Sequence, residues 1–138
     1  MNLAERSDEV TLSLTTGMRR SGRIEALGSD LLALSLTGGE LCLLSRGAIT
    51  AIRLPPGGAA LVGDRPVGDD VDRLDLRSAL DRLVAEQPAV RVTVDGSPDP
   101  VPGTLARLGV DLLMVSCPDG STVHIPLIAV VEVHLTDN

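Results

Sequence analysis

Between residues 10 and 14 the chain reads VTLSL, with apolar and polar positions in strict alternation, and Thr15, Thr16 and Gly17 follow with turn chemistry. Period two marks a strand with one buried face, so the first strand is predicted there. Alternation resumes at residues 22–27, bends at Gly28-Ser29-Asp30, and gives way to an apolar run at residues 31–36. Gly38 and Gly39 reach positive φ at little cost, which makes residues 37–40 a hairpin turn before a fourth strand at 41–44. A tight turn at Ser45-Arg46-Gly47 leads into a fifth strand over residues 48–54. Five short strands with short connections leave no room for a crossover helix and imply an antiparallel meander closing into a small barrel.

Residues 55–71, PPGGAALVGDRPVGDDV, are rich in Pro and Gly, lack periodicity and read as a linker. The pattern then changes to a period of 3.6: Leu76, Ala79, Leu80, Leu83 and Val84 form one stripe until Pro88, with Asp72 as the expected N-cap. One amphipathic helix is predicted over residues 72–87. It is too short to hold without a surface to bury against, so its stripe is expected to cover a barrel end. At residues 90–94 the strand pattern returns, and from Gly103 the chain repeats itself. Residues 103–135 align without a gap on residues 22–54 at an offset of 81, with ten identities in 33 positions, among them Gly22/Gly103, Asp30/Asp111, Leu32/Leu113 and Ser35/Ser116. Identity at that density over a fixed offset indicates one supersecondary unit used twice. The expected organisation is a first barrel at 1–54, a linker at 55–71, and a helix plus second barrel at 72–138.

Composition narrows the function. There is no Phe, Tyr or Trp, so no aromatic platform exists for stacking a base or sugar, and the core must be built from Leu, Val and Ile. All 12 basic residues are Arg, and the net charge is -7. Residues 1–54 balance six acids with six Arg, whereas residues 90–138 carry six acids and two Arg, so any nucleic-acid contact is confined to the first copy. The polar start MNLAERSDEV resembles no secretory signal and no long apolar run occurs, which gives a cytoplasmic expectation with no membrane partner. Cys42, Cys117, His124 and His134 have no zinc-ligand spacing. Asp30 and Asp111 follow Gly-x bends, where a carboxylate accepts local backbone N–H groups. No catalytic residue, metal or cofactor is expected.

A strand ending in a glycine turn, then G-x-(I/L)-x-x-L-G-x-D-L-L, a hairpin, Ser45-Arg46-Gly47-Ala48-Ile49 and a last strand resembles the Sm-like small barrel of the LSm and Hfq superfamily, in two copies. The resemblance implies two five-stranded Sm-like barrels, with Asp30 in the first family motif and Arg46-Gly47 in the second. The chain departs from the family at the base-contacting Asn, where it has Leu34 or a neighbour, and at the stacking position, where Leu31 and Leu32 are aliphatic. In the second copy Leu127-Ile128 replaces Arg-Gly. Residues 124–130, HIPLIAV, resemble the ending of a PRC barrel nearly as well.

Two functions follow as expectations. The first is a non-enzymatic assembly module, binding itself or another protein, because barrels of this size need further apolar burial and Sm-like domains associate through their fourth and fifth strands. In that case residues 41–44 and 48–54 should lie beside the counterpart segments 122–125 and 129–135. The alternative is an RNA-binding protein that uses Arg19, Arg20, Arg23, Arg46 and Gly47 of the first barrel.

Overall fold

A computed structural model of the chain describes residues 9–54, 75–97 and 99–136. The expected linker at 55–71, the lead-in at 1–8 and the expected N-cap Asp72 lie outside the described residues. The first half contains β1 (Glu9–Leu14), β2 (Arg19–Leu27), β3 (Leu31–Leu36), β4 (Leu41–Ser45) and β5 (Ile49–Arg53), with a single 3-10 turn at Arg46–Ala48. The helix α1 (Leu76–Val84) precedes β6 (Ala89–Val94), β7 (Val101–Leu108), β8 (Leu112–Ser116), β9 (Thr122–Pro126) and β10 (Val130–Leu135), with a second 3-10 turn at Leu127–Ala129.

The strands form one antiparallel sheet in the order β5-β1-β2-β3-β4-β10-β6-β7-β8-β9. Each half contributes the same five-strand order, and the fourth strand of the first half is hydrogen-bonded to the last strand of the second. The chain is mainly β, as expected, but its strands form a single sheet that does not close, and the two expected five-stranded barrels are not shown. The apolar edge of β4 is covered by continuing the sheet into β10.

The two halves repeat each other down to their irregularities. The β2–β3 ladder shifts register between Ile24 and Ala26, and the β7–β8 ladder shifts between Leu105 and Arg107, 81 residues on. Such bulges bend a strand and increase its twist. Gly22 and Gly103 sit where these long strands are crossed closely: a Cβ on Gly22 would run into the Ser35 carbonyl, and one on Gly103 into the Ser116 carbonyl and to 2.7 Å from Val115 Cγ1. The repeated Gly/Ser pairs are therefore a steric requirement for close backbone approach.

Two apolar clusters form the interior. One is built from Val10, Leu12, Leu14, Leu32, Leu34 and Leu44. The other joins Val90, Val92, Leu105, Leu113, Val130 and Val133 with Leu76 and Leu80 of α1. The helix thus buries its stripe on the second half, as its length demands. Its N-cap is Asp75, three residues after the expected Asp72. The Ser78 N–H donates to Asp75 Oδ1 at 2.7 Å, and hydrogen bonding from Ser78 holds the Asp75 carboxyl below its usual range. Gln87, at φ 48°, ends the helical segment in the left-handed region just before Pro88. Leu32 and Leu113 are fully enclosed, and Leu27 and Leu108 are half-buried.

Gly22→Ala should destabilise the fold by roughly 1–3 kcal/mol, because the β2–β3 backbones must separate to admit the methyl group. Gly47→Ala, in the 3-10 turn with open space around its Cα, should change stability by less than about 0.5 kcal/mol. Urea denaturation of the two variants gives the comparison; equal midpoints would refute the steric reading of the repeated glycines.

Candidate interaction surface

The join between the halves is built from β4 and β10, with Leu44 opposite Glu132, Leu43 opposite Val133, Cys42 opposite His134 and Leu41 opposite Leu135. Side chains cross it in both directions. Val131 of β10 belongs to the first apolar cluster, while Leu31, Ala33 and Leu43 of the first half belong to the second. Ser45 Oγ donates to the Val130 carbonyl at 2.6 Å.

One ion pair is sealed into this join. Glu132 is 1% exposed, and Arg20 of β2 reaches it with two bonds, Nε to Oε2 at 2.6 Å and Nη2 to Oε1 at 2.8 Å. This is the two-pronged geometry that a guanidinium offers a carboxylate. Burial alone would raise the Glu132 pKa, but hydrogen bonds from Arg20 and Cys42 and the Arg20 charge outweigh it and hold the carboxyl below its usual value. The Cys42 thiol is pushed well up, first by burial and then by the adjacent Glu132 charge. At the solvent side of the same join, His134 Nε2 and Glu40 Oε1 lie 2.7 Å apart.

The expected arginine patch is divided by the structure. Arg19, Arg20 and Arg23 all lie on β2, which begins at Arg19 where the alternation was expected to resume only at residue 22, so alternate residues face opposite sides. Arg19 and Arg23 are exposed, the latter 3.7 Å from Glu25, while Arg20 turns inward to Glu132. Arg46 Nη1 donates to the carbonyl of Gly28 at 2.7 Å and, more weakly, to that of Ser29 at 3.4 Å. Gly47 follows it in the 3-10 turn. Asp30 bonds to a distant group where local ones were expected: its Oδ1 accepts the Leu76 N–H at 2.8 Å, tying the start of α1 to the first half. Asp111, its counterpart, is exposed. Cys42 is buried as expected, whereas Cys117 stands just past β8 and is half-buried.

Among the described residues, β5 and β9 are the two ends of the sheet. They are the counterparts of the two strands that meet at the join: β9 corresponds to β4, and β5 to β10. Several residues buried at or beside the join have exposed counterparts 81 residues away. Leu31 is 1% exposed and Leu112 40%; Val131 and Glu132 are buried, and Thr50 and Ala51 are exposed. Sequence reasoning missed Glu132. Its signal is an acid inside the apolar run VVEVHL, at the position where the first copy has Ala51.

No protein-family model matches the chain, and no curated protein matches it. Among the described residues, no group of three or more His, Cys, Asp or Glu side chains is placed to hold a metal ion, and no helix is long and apolar enough to cross a membrane.

Replacing Arg20 with Met should cost about 3 kcal/mol, since it strands a buried carboxylate. Adding Glu132→Met to that variant should restore most of the loss, because two apolar side chains of similar volume need no partner. Acid should act in the same direction as Arg20→Met. The stabilisation from ionised Glu132 is complete above its ordinary pKa of 4.5 and is lost as pH falls through its lower folded-state value. Thermal melts between pH 3 and 7 check this: the double variant should lose less stability below about pH 4.5 than the wild type, and identical pH profiles would contradict the assignment.

Proposed function

We propose that this chain is a non-enzymatic assembly module of two Sm-like halves, each read as a small barrel, which associates head to tail with further copies through its free edges β5 and β9. The observation that carries the reading is that the chain contains one finished example of the contact, β4 on β10, and, among the described residues, the two unused halves of the same contact at the ends of the sheet. A contact between two different surfaces repeats without limit unless its rotation closes, so the assembly is a ring or a filament. The strand order common to both halves and the pairing of a fourth with a fifth strand support the Sm-like reading.

The edges themselves favour pairing. Edge strands that must remain single usually carry charges or proline within them. β9 includes no acid, Arg or Lys and has its one proline, Pro126, at its last position and not within it, and Arg53 is the one charged residue of β5. The bulge at Thr50 does not prevent pairing, because β10 bears the equivalent irregularity at Val131 and still pairs with β4. The ion pair of the join has no second copy: Arg20 corresponds to Val101 and Glu132 to Ala51. Association between copies would therefore proceed without burying a charge, and Arg20 with Glu132 distinguishes the internal join from the external one. The RNA reading is weaker, because Arg20 is neutralised by Glu132 and Arg23 stands beside Glu25, which divides the expected basic patch.

Transposing the β4–β10 register by 81 residues places Ile125 opposite Ala51, His124 opposite Ile52 and Val123 opposite Arg53 of the next copy. A mixture of Ile52→Cys and His124→Cys proteins should form a mixed disulfide dimer on mild oxidation, and pairing Ile52→Cys with Thr122→Cys should not. Light scattering should give a mass above that of one chain, and Ala51→Asp should reduce it to one chain with unchanged thermal stability. A wild-type mass of one chain at micromolar concentration, or an Ala51→Asp protein of undiminished mass, would overturn the reading.

A further inference from the structure

On the first half, Ile24, Leu27, Leu32, Ile49 and Ile52 line a groove of about 370 Å³, with Arg46 also at its wall. Four of these five apolar residues are only half-buried; Leu32 is fully enclosed. Their counterparts 81 residues on are Leu105, Leu108, Leu113, Val130 and Val133, and all five belong to the cluster that holds Leu76 and Leu80 of α1. Among the described residues, the face left open on the first half is thus the face that a helix covers on the second.

Polar contacts make the correspondence closer. On the second half, Arg77 of α1 donates from Nη2 to the Gly109 carbonyl at 3.1 Å and from Nε to the Val110 carbonyl at 3.2 Å. The counterpart carbonyls, Gly28 and Ser29, accept from Arg46, which stands where the second half has Leu127. Leu127, Leu76 and Arg77 line one small cavity together. One half therefore meets its two carbonyls with a guanidinium supplied by the covering helix, and the other supplies its own. A helix seated on the first half would find those carbonyls taken and a fixed cation at the place where Arg77 sits on the second. A basic residue there would be repelled, and an acidic one attracted.

From this geometry we infer that the groove on the first half is a docking site for an amphipathic helix of a partner protein, with apolar residues spaced i, i+4 and i+7, as Leu76, Leu80 and Leu83 are, and an acidic residue at the position after the first of them. The helix N-terminal region lies near Arg46. The α1 of a second copy does not meet this description, because it carries Arg77 at the position where the site selects an acid.

Synthetic peptides with the sequence of residues 75–87 test the proposal directly, one unaltered and one with Arg77→Glu, each titrated into the full chain while methyl resonances are followed by NMR. The Arg77→Glu peptide should shift the methyl signals of Ile24, Ile49 and Ile52, and should bind about threefold or more tightly than the unaltered peptide, the scale of one partly exposed charge pair. Arg46→Leu, which installs the residue the second half already has, should abolish or reverse that preference. The proposal is overturned if neither peptide moves these signals at millimolar concentration, or if both move those of Leu105 and Val133 instead. It is equally overturned if the signals shift with protein concentration without peptide, which would make a second copy the occupant. Binding that appears only in a Leu3→Asp variant would overturn it in favour of the chain's own first residues.

Discussion

The structure depends on the hydrogen-bonded pairing of β4 with β10. Each half alone would be a five-strand unit of about fifty residues, a size at which a single apolar core stabilises a fold only marginally. Pairing merges two such units into one sheet and lets their interiors interlock, with Val131 entering the first cluster and Leu31, Ala33 and Leu43 entering the second. The Asp30 bond to the Leu76 N–H extends this coupling to the helix. Burying Glu132 at the centre of the join would be prohibitive without Arg20. That pair fixes which fourth strand meets which fifth strand, because neither Val101 nor Ala51 can reproduce it.

Duplication followed by divergence explains most of what distinguishes the halves. Positions under steric constraint stay the same: Gly22 and Gly103 face the carbonyls of Ser35 and Ser116, and Leu32 and Leu113 fill the two interiors. Positions at the join differ because a tandem pair has one internal contact and two ends. Arg46 and Leu127 differ for another reason, namely that Arg77 of α1 performs on the second half the carbonyl-binding task of Arg46 on the first. Arg46 thus closes its own bend by bonding the carbonyls of Gly28 and Ser29.

Strand positions and the hairpin turn at residues 37–40 were legible in the sequence because period-two alternation and turn glycines are local signals; Gly39 holds φ of 95° as its turn requires, and its repeat counterpart Gly120 holds 91°. Closure was not legible. Whether a meander curls back or continues into a neighbour depends on the partner of β4, a contact between residues some ninety positions apart that no local pattern encodes. The division of the arginine cluster was not legible for a related reason. Three arginines within five residues look like one basic patch, but on a strand Arg20 faces away from Arg19 and Arg23, and its partner Glu132 lies 112 residues further on. Asp72 and Asp75 offer the same capping chemistry, and the geometry of Ser78 selects Asp75.

Native-state hydrogen exchange at the join is the most direct measure of the central claim. If the β4–β10 ladder holds the two halves in one cooperative unit, the amides that it hydrogen-bonds between residues 41–44 and 132–135 should exchange only through global unfolding, with the same denaturant dependence as the ladder amides within each half. Exchange at the join through a smaller opening, while the interiors of β3 and β8 remain protected to the global limit, would show two independent units in contact and contradict the account.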